Sequence, residues 1–200
     1  NRPSVPILAG LRIEASGAEV VLSTFDYETS AKVTVPAEVK DDGVALVSGR
    51  LLADIARSLP AKPVDLSSDD SRLEITCGSA RFTLQLLPVG EYPDLPAMPA
   101  STGTLTPDVF AQAVSQVVVA AGRDELLPVF TGVRLEIEGD TLSLLATDRY
   151  RMALKELPWS PTSRIGDAAA LVPARVLSES SKSMTAGEKI SLSLATVEAG

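Results

Sequence analysis

Apolar and polar residues alternate with a period of two in two separate parts of the chain. The four alternating segments are "GLRIEAS" (10–16), "AEVVLSTFD" (18–26), "GVRLEIEG" (132–139) and "DTLSLLATD" (140–148). This period is typical of half-buried strands. Gly17 and Gly139 fall between the members of each pair, where tight turns need glycine. The pattern therefore predicts a hairpin in each part of the chain, and "SRLEITCGSARFTLQLLP" (71–88) predicts a further hairpin about Gly78-Ser79.

Two other segments have helical spacing. In "SGRLLADIARSLP" (48–60) the apolar residues are Leu51, Leu52, Ile55 and Leu59, with Ser48 as a helix cap and Pro60 as the stop. A second helix is predicted in "TPDVFAQAVSQVVVAAG" (106–122), between Thr106-Pro107 and Gly122. Hairpins with helices between them, rather than parallel crossovers, indicate an α+β fold of antiparallel sheets with helices on one face.

An internal repeat divides the chain. The 26 residues from Pro6 match those from Pro128 without a gap, at an offset of 122. The identical pairs are Pro6/Pro128, Gly10/Gly132, Arg12/Arg134, Glu14/Glu136, Gly17/Gly139, Leu22/Leu144, Asp26/Asp148 and Ala31/Ala153. A second match, from Val47 against Val172, follows in the same order at an offset of 125. We therefore predict two homologous domains, 1–98 and 103–200, and a linker in "EYPDLPAMPASTG" (91–103).

Composition argues against most enzyme classes. The chain has no histidine and one cysteine, which removes the usual general bases, nucleophile pairs and zinc ligands. We therefore expect no metal and no cofactor. Carboxylates remain as candidates for catalysis, but the pairs Asp41-Asp42 and Asp69-Asp70 sit in turn contexts, so we expect no catalytic residue. No apolar run approaches the ~20 residues of a membrane span and no signal peptide is evident, so a cytoplasmic protein without a membrane partner is expected.

The net charge of −8 argues against a nucleic-acid partner, but binding depends on where the charges lie. Arg50 and Arg57 are seven residues apart on the first predicted helix and therefore share a face. Arg175 and Lys182 repeat this spacing in the second domain. Periodicity alone leaves two interpretations open, a solvated helix face and a surface for non-specific phosphate contacts.

Several segments together resemble one family. They are "RPSVPIL", "SGRLLADIARSLP", "YPDLP", "AAGRDELLPVFTGVRLEIEGDTLSLLATDRYRMA" and "LVPARVL". In this order, and over essentially the whole chain, they are similar to the bacterial DNA polymerase III beta subunits, the sliding clamps, and "AAGRDE" resembles the actinobacterial branch. The resemblance implies the DNA-clamp fold, with three repeated domains per chain and two chains closed head to tail around duplex DNA. Helices then line the hole and sheets form the outer wall.

Compared with that family the chain is expected to be incomplete. It lacks the first strand and helix of domain one, the C-terminal end of domain two and the whole third domain. The resemblance implies a non-catalytic processivity factor in DNA replication, with nucleotidyl transfer residing in the polymerase subunit. Implied partners are double-stranded DNA, the DNA polymerase III alpha subunit, the clamp loader, and other polymerases and repair proteins that carry short linear motifs. A full-length chain would form a homodimer ring.

Two site predictions come from the same resemblance. The peptide-binding pocket corresponds to Phe130, Thr147, Arg149, Tyr150, Arg151 and Met152. The DNA-facing positions correspond to Arg2, Arg50, Arg57, Arg123, Arg175 and Lys182. Many relatives have a small residue and a histidine at positions 149 and 150, so this pocket is expected to be bulkier and more basic.

Two alternatives remain. One is a peptide-binding scaffold that does not encircle DNA. The other is a carboxylate hydrolase using Asp148 or Asp69-Asp70, which we disfavour because Asp148 repeats Asp26, an acid with no arginine after it. An acid that is kept while its neighbours change is expected to hold a turn.

Overall fold

The computed structural model describes residues 5–27, 29–97, 101–162, 168–184 and 187–194. The chain divides into two compact units, Asn1–Ala97 (unit 1) and Met98–Gly200 (unit 2). Among the described residues, no helix is long and apolar enough to cross a membrane.

The described residues of unit 1 form two antiparallel sheets and one α-helix. Its elements are β1 (Gly10–Ser16), β2 (Glu19–Phe25), β3 (Ser30–Pro36), β4 (Gly43–Ser48), α1 (Gly49–Ser58), β5 (Asp65–Ser68), β6 (Arg72–Cys77) and β7 (Ala80–Gln85). The sheet orders are β3-β2-β1-β4 and β5-β6-β7. Short 3-10 turns lie at Pro6–Ala9 and Val89–Glu91. Ser48 caps α1 by accepting a hydrogen bond from the Leu51 N–H at 3.5 Å, as the sequence predicts.

In unit 2, the part of the chain that the structure describes forms two further antiparallel sheets and two α-helices. Its elements are β8 (Gly103–Leu105), α2 (Pro107–Val117), β9 (Gly132–Glu138), β10 (Thr141–Thr147), β11 (Met152–Pro158), β12 (Ser160–Pro161), β13 (Ala168–Pro173), α3 (Ala174–Ser183) and β14 (Ile190–Leu192). The sheet orders are β11-β10-β9-β13 and β12-β8-β14, and 3-10 turns lie at Val118–Ala120 and Pro128–Thr131.

The sequence repeat corresponds to a structural one. The strands β1, β2, β3 and β4 occupy the same sheet order as β9, β10, β11 and β13. Arg12 and its repeat partner Arg134 each form an ion pair with the acid two residues on, at 2.6 and 2.9 Å. The α+β fold predicted from the period of the sequence is confirmed, with antiparallel pairing throughout the described sheets.

Each unit has its own apolar core. In unit 1 the core joins the two sheets through Ile13, Ala45, Val47, Leu73, Ile75 and Leu84. In unit 2, α2 lies against the sheet and adds Phe110, Ala113, Val114 and Val117 to a larger core that includes Leu135, Leu142, Leu144 and Trp159. Among the described residues, unit 1 has no helix that corresponds to α2.

Two details of the helices differ from the sequence-based predictions. Leu51 is 54% exposed, so the buried stripe of α1 consists of Leu52, Ile55 and Leu59. The helix predicted to run to Gly122 ends at Val117 and tightens into a 3-10 turn.

The predicted linker also contains structured residues at both ends. The Tyr92 hydroxyl accepts a hydrogen bond from the Phe25 N–H at 2.7 Å, and Tyr92 is 8% exposed. Thr102 donates through Oγ1 to the Leu192 carbonyl at 2.8 Å and is 6% exposed. The connection between the units is therefore shorter than 91–103.

Candidate functional site

The corner between β10 and β11 is built around the Asp148 carboxylate. Its Oδ1 accepts hydrogen bonds from the N–H groups of Tyr150 and Arg151 at 3.1 and 3.0 Å, and its Oδ2 accepts one from Arg151 Nε at 2.9 Å. Burial acts to raise the Asp148 pKa, but these bonds from Arg151 and Tyr150 outweigh it and the pKa is lowered. A carboxylate so engaged holds a turn, which is the role that the repeat predicts for it.

Arg149 occupies a backbone conformation that few side chains adopt. Its φ is 81°, and its repeat partner Tyr27 has a φ of 72°. This left-handed conformation disfavours a side chain by about 1–2 kcal/mol. The Arg149 guanidinium lies 5.8 Å from the Phe130 ring centroid and 5.9 Å from that of Tyr150. Both distances are within the range of cation–π attraction.

A cavity of about 460 Å³ opens beside this corner, and we call it the basic cavity. It is lined by Ala121, Gly122, Arg123, Asp124, Leu127, Phe130, Asp148, Arg149, Tyr150 and Arg151. The Asp124 Oδ1 accepts a hydrogen bond from the Leu126 N–H at 3.0 Å, which shapes the loop that forms one wall.

A second cavity of about 260 Å³, the apolar cavity, lies next to the first and shares Phe130 with it. Its lining consists of Val129, Phe130, Gly132, Arg134, Leu145, Ala146, Thr147, Ala169, Ala170 and Leu171. The Arg134 side chain is paired with Glu136 at 2.9 Å, so the remaining surface offers mainly aliphatic contacts. Together the cavities can accept an apolar group in one and a polar group in the other.

The structure brings most of the predicted peptide-binding residues together. Phe130 lines both cavities, Thr147 lines the apolar cavity, and Arg149, Tyr150 and Arg151 line the basic cavity. Met152 begins β11 opposite Thr147, is 67% exposed, and is not part of either lining. Its role in binding stays a prediction.

Sequence reasoning did not include the loop and strand residues that complete the two cavities. Leu127 lies in the basic cavity, and Val129, Leu145 and Leu171 lie in the apolar one. The "DELLPVF" segment (124–130) contains Leu127 and Val129, and the structure leaves Leu126 and Val129 88% and 67% exposed. Exposed apolar residues so close together in sequence often mark a binding surface.

The predicted DNA-facing residues fall in two kinds of place. Arg50 and Arg57 lie on α1, and Arg175 and Lys182 lie at the corresponding positions of α3. Arg123 instead lines the basic cavity, and Arg2 lies outside the described residues.

Each helix also carries an acid between its two basic residues, which sequence reasoning passed over. Arg57 pairs with Asp54 at 2.8 Å on α1, whereas Arg175 pairs with Glu179 at 3.1 Å on α3. Among the described residues, Arg50 and Lys182 form no ion pair. On both helices the order of these charged side chains is therefore basic, acidic, basic, and one basic side chain of each helix has no ion-pair partner among the described residues.

The other paired acids also hold turns. The Asp69 Oδ1 accepts from the N–H groups of Ser71 and Arg72 at 2.7 and 2.8 Å, and these bonds lower the Asp69 pKa. Asp42 accepts from the Gly17 N–H at 3.2 Å. Within the described ranges, no group of three or more acidic or cysteine side chains is arranged to hold a metal ion. The side chains that line the two cavities include guanidinium groups, aromatic rings and aliphatic groups.

Comparison with known proteins gives the same family for both units. The family model of the DNA polymerase III beta subunit N-terminal domain matches residues 1–96, and that of its central domain matches 104–199. The chain is 54% identical over 199 residues to the beta sliding clamp of Streptomyces coelicolor, covering 100% of this chain and 53% of that protein. It is 48% identical over 193 residues to the beta sliding clamp of Micrococcus luteus, covering 96% of this chain and 62% of that protein.

Solved structures agree on the fold. The DNA polymerase sliding clamp from Bacillus subtilis matches with a TM-score of 0.86 at 25% identity, covering 98% of this chain and 54% of that one. The DNA polymerase III beta subunit from Thermotoga maritima matches with a TM-score of 0.86 at 28% identity, covering 96% and 53%. The chain thus spans little more than half the length of most of these relatives.

Proposed function

Because the chain belongs to the family of the bacterial DNA polymerase III beta subunits, whose N-terminal and central domains it contains, we propose that it acts in a sliding clamp. In this function the full-length chain forms a ring dimer around duplex DNA and raises the processivity of the replicative polymerase. The main support for this proposal is the structural repeat. The two units have the same strand order in their four-stranded sheets, and α1 and α3 carry basic residues at corresponding positions.

The DNA-facing surface in this proposal comprises α1 and α3. Arg50, Arg57, Arg175 and Lys182 contact phosphates without reading bases, and Arg2 and Arg123 add to them. One unpaired basic group per helix suits weak, salt-sensitive contacts, since a closed ring needs no tight binding to stay on DNA. The overall charge of −8 is compatible with this function because most of the acids lie on strands and turns rather than on these two helices.

The peptide-binding site in this proposal comprises Phe130, Thr147, Arg149, Tyr150, Arg151 and Met152. It receives short linear motifs from the DNA polymerase III alpha subunit, the clamp loader, other polymerases and repair proteins. Support comes from the two adjacent cavities that share Phe130. Aromatic and arginine side chains are also the residues that most often dominate binding energies.

We further propose that the protein is a non-catalytic cytoplasmic subunit, with nucleotidyl transfer carried out by the polymerase. The hydrogen bonds of Asp148 and Asp69 support this, since both carboxylates are engaged with backbone N–H groups. A nucleotide or ester hydrolysis activity that Asp148→Asn abolishes would contradict it.

A peptide titration tests the binding site. A Gln-Leu-Ser-Leu-Phe peptide should bind the chain, and Phe130→Ala should weaken binding more than tenfold because both cavities lose their shared wall. Met152→Asp tests the role of Met152, which lines neither cavity. Leu154→Asp is its control, because Leu154 lies on the same strand and its side chain is 54% exposed. Equal affinity in wild type and Phe130→Ala would remove the site from this surface.

Retention on DNA tests the ring. The full-length protein should remain on circular duplex DNA after loading and should slide off once the circle is linearised. Retention that does not change on linearisation would favour the alternative, a peptide-binding scaffold that does not encircle DNA.

A further inference from the structure

The outer face of the four-stranded sheet in unit 1 is covered where the matching face of unit 2 is open. Leu46 of β4 pairs with Arg12 in the sheet register, and Leu171 of β13 pairs with the repeat partner of that arginine, Arg134. The two leucines therefore occupy the same place in the two sheets. Leu171 is 50% exposed and lines the apolar cavity, whereas Leu46 is 0% exposed. Because the residues on either side of Leu46 belong to the core cluster and Leu46 does not, it is buried on the opposite face.

Ser23 of β2 is buried on the same face. It pairs with Arg12 from the other side, so its side chain and that of Leu46 point in the same direction. Ser23 is 4% exposed, whereas its repeat partner Leu145 is half-buried and lines the apolar cavity. A small side chain on an outer face is buried only when another part of the chain lies over it.

The chain that approaches this face is the segment 87–92, which follows the second sheet of unit 1. It begins at the edge of the sheet, where the Leu87 N–H donates to the Leu46 carbonyl at 2.7 Å. The 3-10 turn Val89–Glu91 then lies beside β4. Tyr92 follows the turn and is 8% exposed.

The Tyr92 hydroxyl fixes the end of this segment against the sheet. It accepts the Phe25 N–H at 2.7 Å and lies 3.3 Å from the carbonyl oxygens of Gly10 and Phe25, to which it can donate. The repeat partners of these two residues, Gly132 and Thr147, both line the apolar cavity of unit 2. The phenol of Tyr92 therefore lies in unit 1 where unit 2 has an open cavity.

We propose that unit 1 contains a binding cavity of its own for the side chain of a tyrosine, and that Tyr92 occupies it as an intramolecular ligand. A tyrosine from a partner enters this cavity only when the segment 87–92 is released. The affinity of the wild type for such a partner is therefore reduced to the fraction of chains from which Tyr92 is withdrawn. The backbone groups of Gly10 and Phe25 favour a phenol over a plain phenyl ring, which would leave them unpaired. The inference concerns unit 1 alone and does not depend on the proposed clamp function.

Tyr92→Gly tests the cavity by removing its occupant. The probe is p-cresol, which has the atoms of a tyrosine side chain. Isothermal titration calorimetry should give a dissociation constant of about 0.1–1 mM for this variant, a range that a ligand of this size can reach. Binding should shift the amide NMR signals of Phe25 and Leu46. N-acetyl-tyrosinamide should bind at the same place, and toluene, which has no hydroxyl group, about three- to tenfold more weakly than p-cresol.

Three proteins serve as controls. The wild type and Tyr92→Phe keep a ring in the cavity and should bind p-cresol at least tenfold more weakly than Tyr92→Gly does. Tyr27→Gly is the matched control, because Tyr27 also lies in unit 1 but is 68% exposed, and its φ of 72° suits glycine. Its removal should create no site for p-cresol.

Equal binding of p-cresol by the wild type and Tyr92→Gly would overturn the inference, as would a folded Tyr92→Gly that does not bind it. If Tyr92→Gly instead unfolds unit 1, p-cresol at about ten times its expected dissociation constant should restore the circular dichroism of the wild type, because it binds only the folded state. A lack of restoration would equally overturn the inference. None of these results changes the titration of unit 2 with the Gln-Leu-Ser-Leu-Phe peptide, so the proposed function is tested separately.

Discussion

At the scale of single residues, the repeat separates side chains that hold the same turn in both units from side chains that differ between the units. Asp26 and Asp148 hold the same corner in the two units, and Asp26 Oδ1 accepts the Thr29 N–H at 2.7 Å. The next residue differs, since Tyr27 packs on Phe25 in unit 1 while Arg149 lies over Phe130 in unit 2. The sequence predicted the role of Asp148 from this comparison. It did not predict the left-handed conformation of Arg149, because no glycine or asparagine marks the position.

The Asp148 turn should make unit 2 sensitive to acid. The folded-state pKa of Asp148 is lowered below its ordinary value of 3.8, so the turn contributes its full stability above that value and loses it as the pH falls through the folded pKa. In Asp148→Asn the amide oxygen can still accept both N–H groups but has no charge to titrate. Thermal unfolding of unit 2, followed by Trp159 fluorescence from about pH 6 to pH 2, should therefore fall less steeply in the variant. Parallel curves for the two proteins would contradict this role.

Trp159 sets a tight limit on the size of residue 103. A Cβ added to Gly103 would lie 2.4 Å from the Trp159 ring and 2.6 Å from the Ser160 carbonyl oxygen. Trp159 is 3% exposed and packed into the core, so it cannot easily move away. Gly103→Ala should destabilise unit 2 by about 1–3 kcal/mol, measured by denaturant unfolding. Gly43→Ala is the strand-glycine control, because a Cβ there meets nothing within 4 Å, and a loss of equal size would show that the close approach is not the cause.

At the scale of elements, α1 and α3 repeat an order of charges as well as a shape. Asp54 could pair with Arg50, four residues before it, or with Arg57, three residues after it, and it pairs with Arg57. Glu179 could likewise pair with Arg175 or Lys182, and it pairs with Arg175. Such exposed pairs contribute at most about 1 kcal/mol, so a phosphate can compete for either arginine. If α1 and α3 face DNA as proposed, the central acids weaken the attraction of both helices for it.

Removal of the central acids should strengthen DNA binding. In Asp54→Asn/Glu179→Gln, Arg57 and Arg175 no longer have a protein partner and become available to phosphates. Fluorescence anisotropy with a duplex should show a higher affinity, and each added phosphate contact should steepen the slope of log K against log[salt] by about 0.9. Glu14→Gln/Glu74→Gln, which also removes two negative charges but frees Arg12 on β1 and Arg81 on β7 instead, is the control for overall charge. An equal gain in this control would mean that the helices have no special role.

The period of apolar residues along the chain predicted the strands and helices better than it predicted the candidate binding site at the β10–β11 corner. Alternation and helical spacing located β1, β2, β9, β10 and α1, because each buries one face within a short segment. The basic cavity instead joins the loop at Arg123 to the corner at Arg149, and their approach depends on loop conformation rather than on local spacing. The boundary between the units, at Ala97 and Met98, lies within the predicted linker 91–103. The buried position of Tyr92 in that segment was not predicted, since its partners Gly10 and Phe25 are distant in sequence.

At the scale of the whole molecule, each unit has a four-stranded sheet with the same strand order, but the two units differ in their cores. Phe110, Val114 and Val117 of α2 are at most 3% exposed and cover the unit 2 sheet. In unit 1, by contrast, no residue of α1 is fully buried. Burial of a large apolar side chain contributes about 1.5–3 kcal/mol, so these three residues alone favour unit 2 by several kcal/mol. The two units of this chain should therefore differ in stability.

Unit 1 should consequently unfold at the lower temperature. Trp159 is the single tryptophan, so its fluorescence follows unit 2, whereas far-ultraviolet circular dichroism follows both units. A difference of several kcal/mol separates the midpoints of domains of this size by at least about 10 °C, so the dichroism should begin to change well before the fluorescence does. Ile75→Ala, at a site 1% exposed in unit 1, should lower only the first transition, and Leu135→Ala, 1% exposed in unit 2, only the second. Coincident transitions by both probes would show instead that the units unfold as one cooperative body, in which case the larger core of unit 2 would also stabilise unit 1.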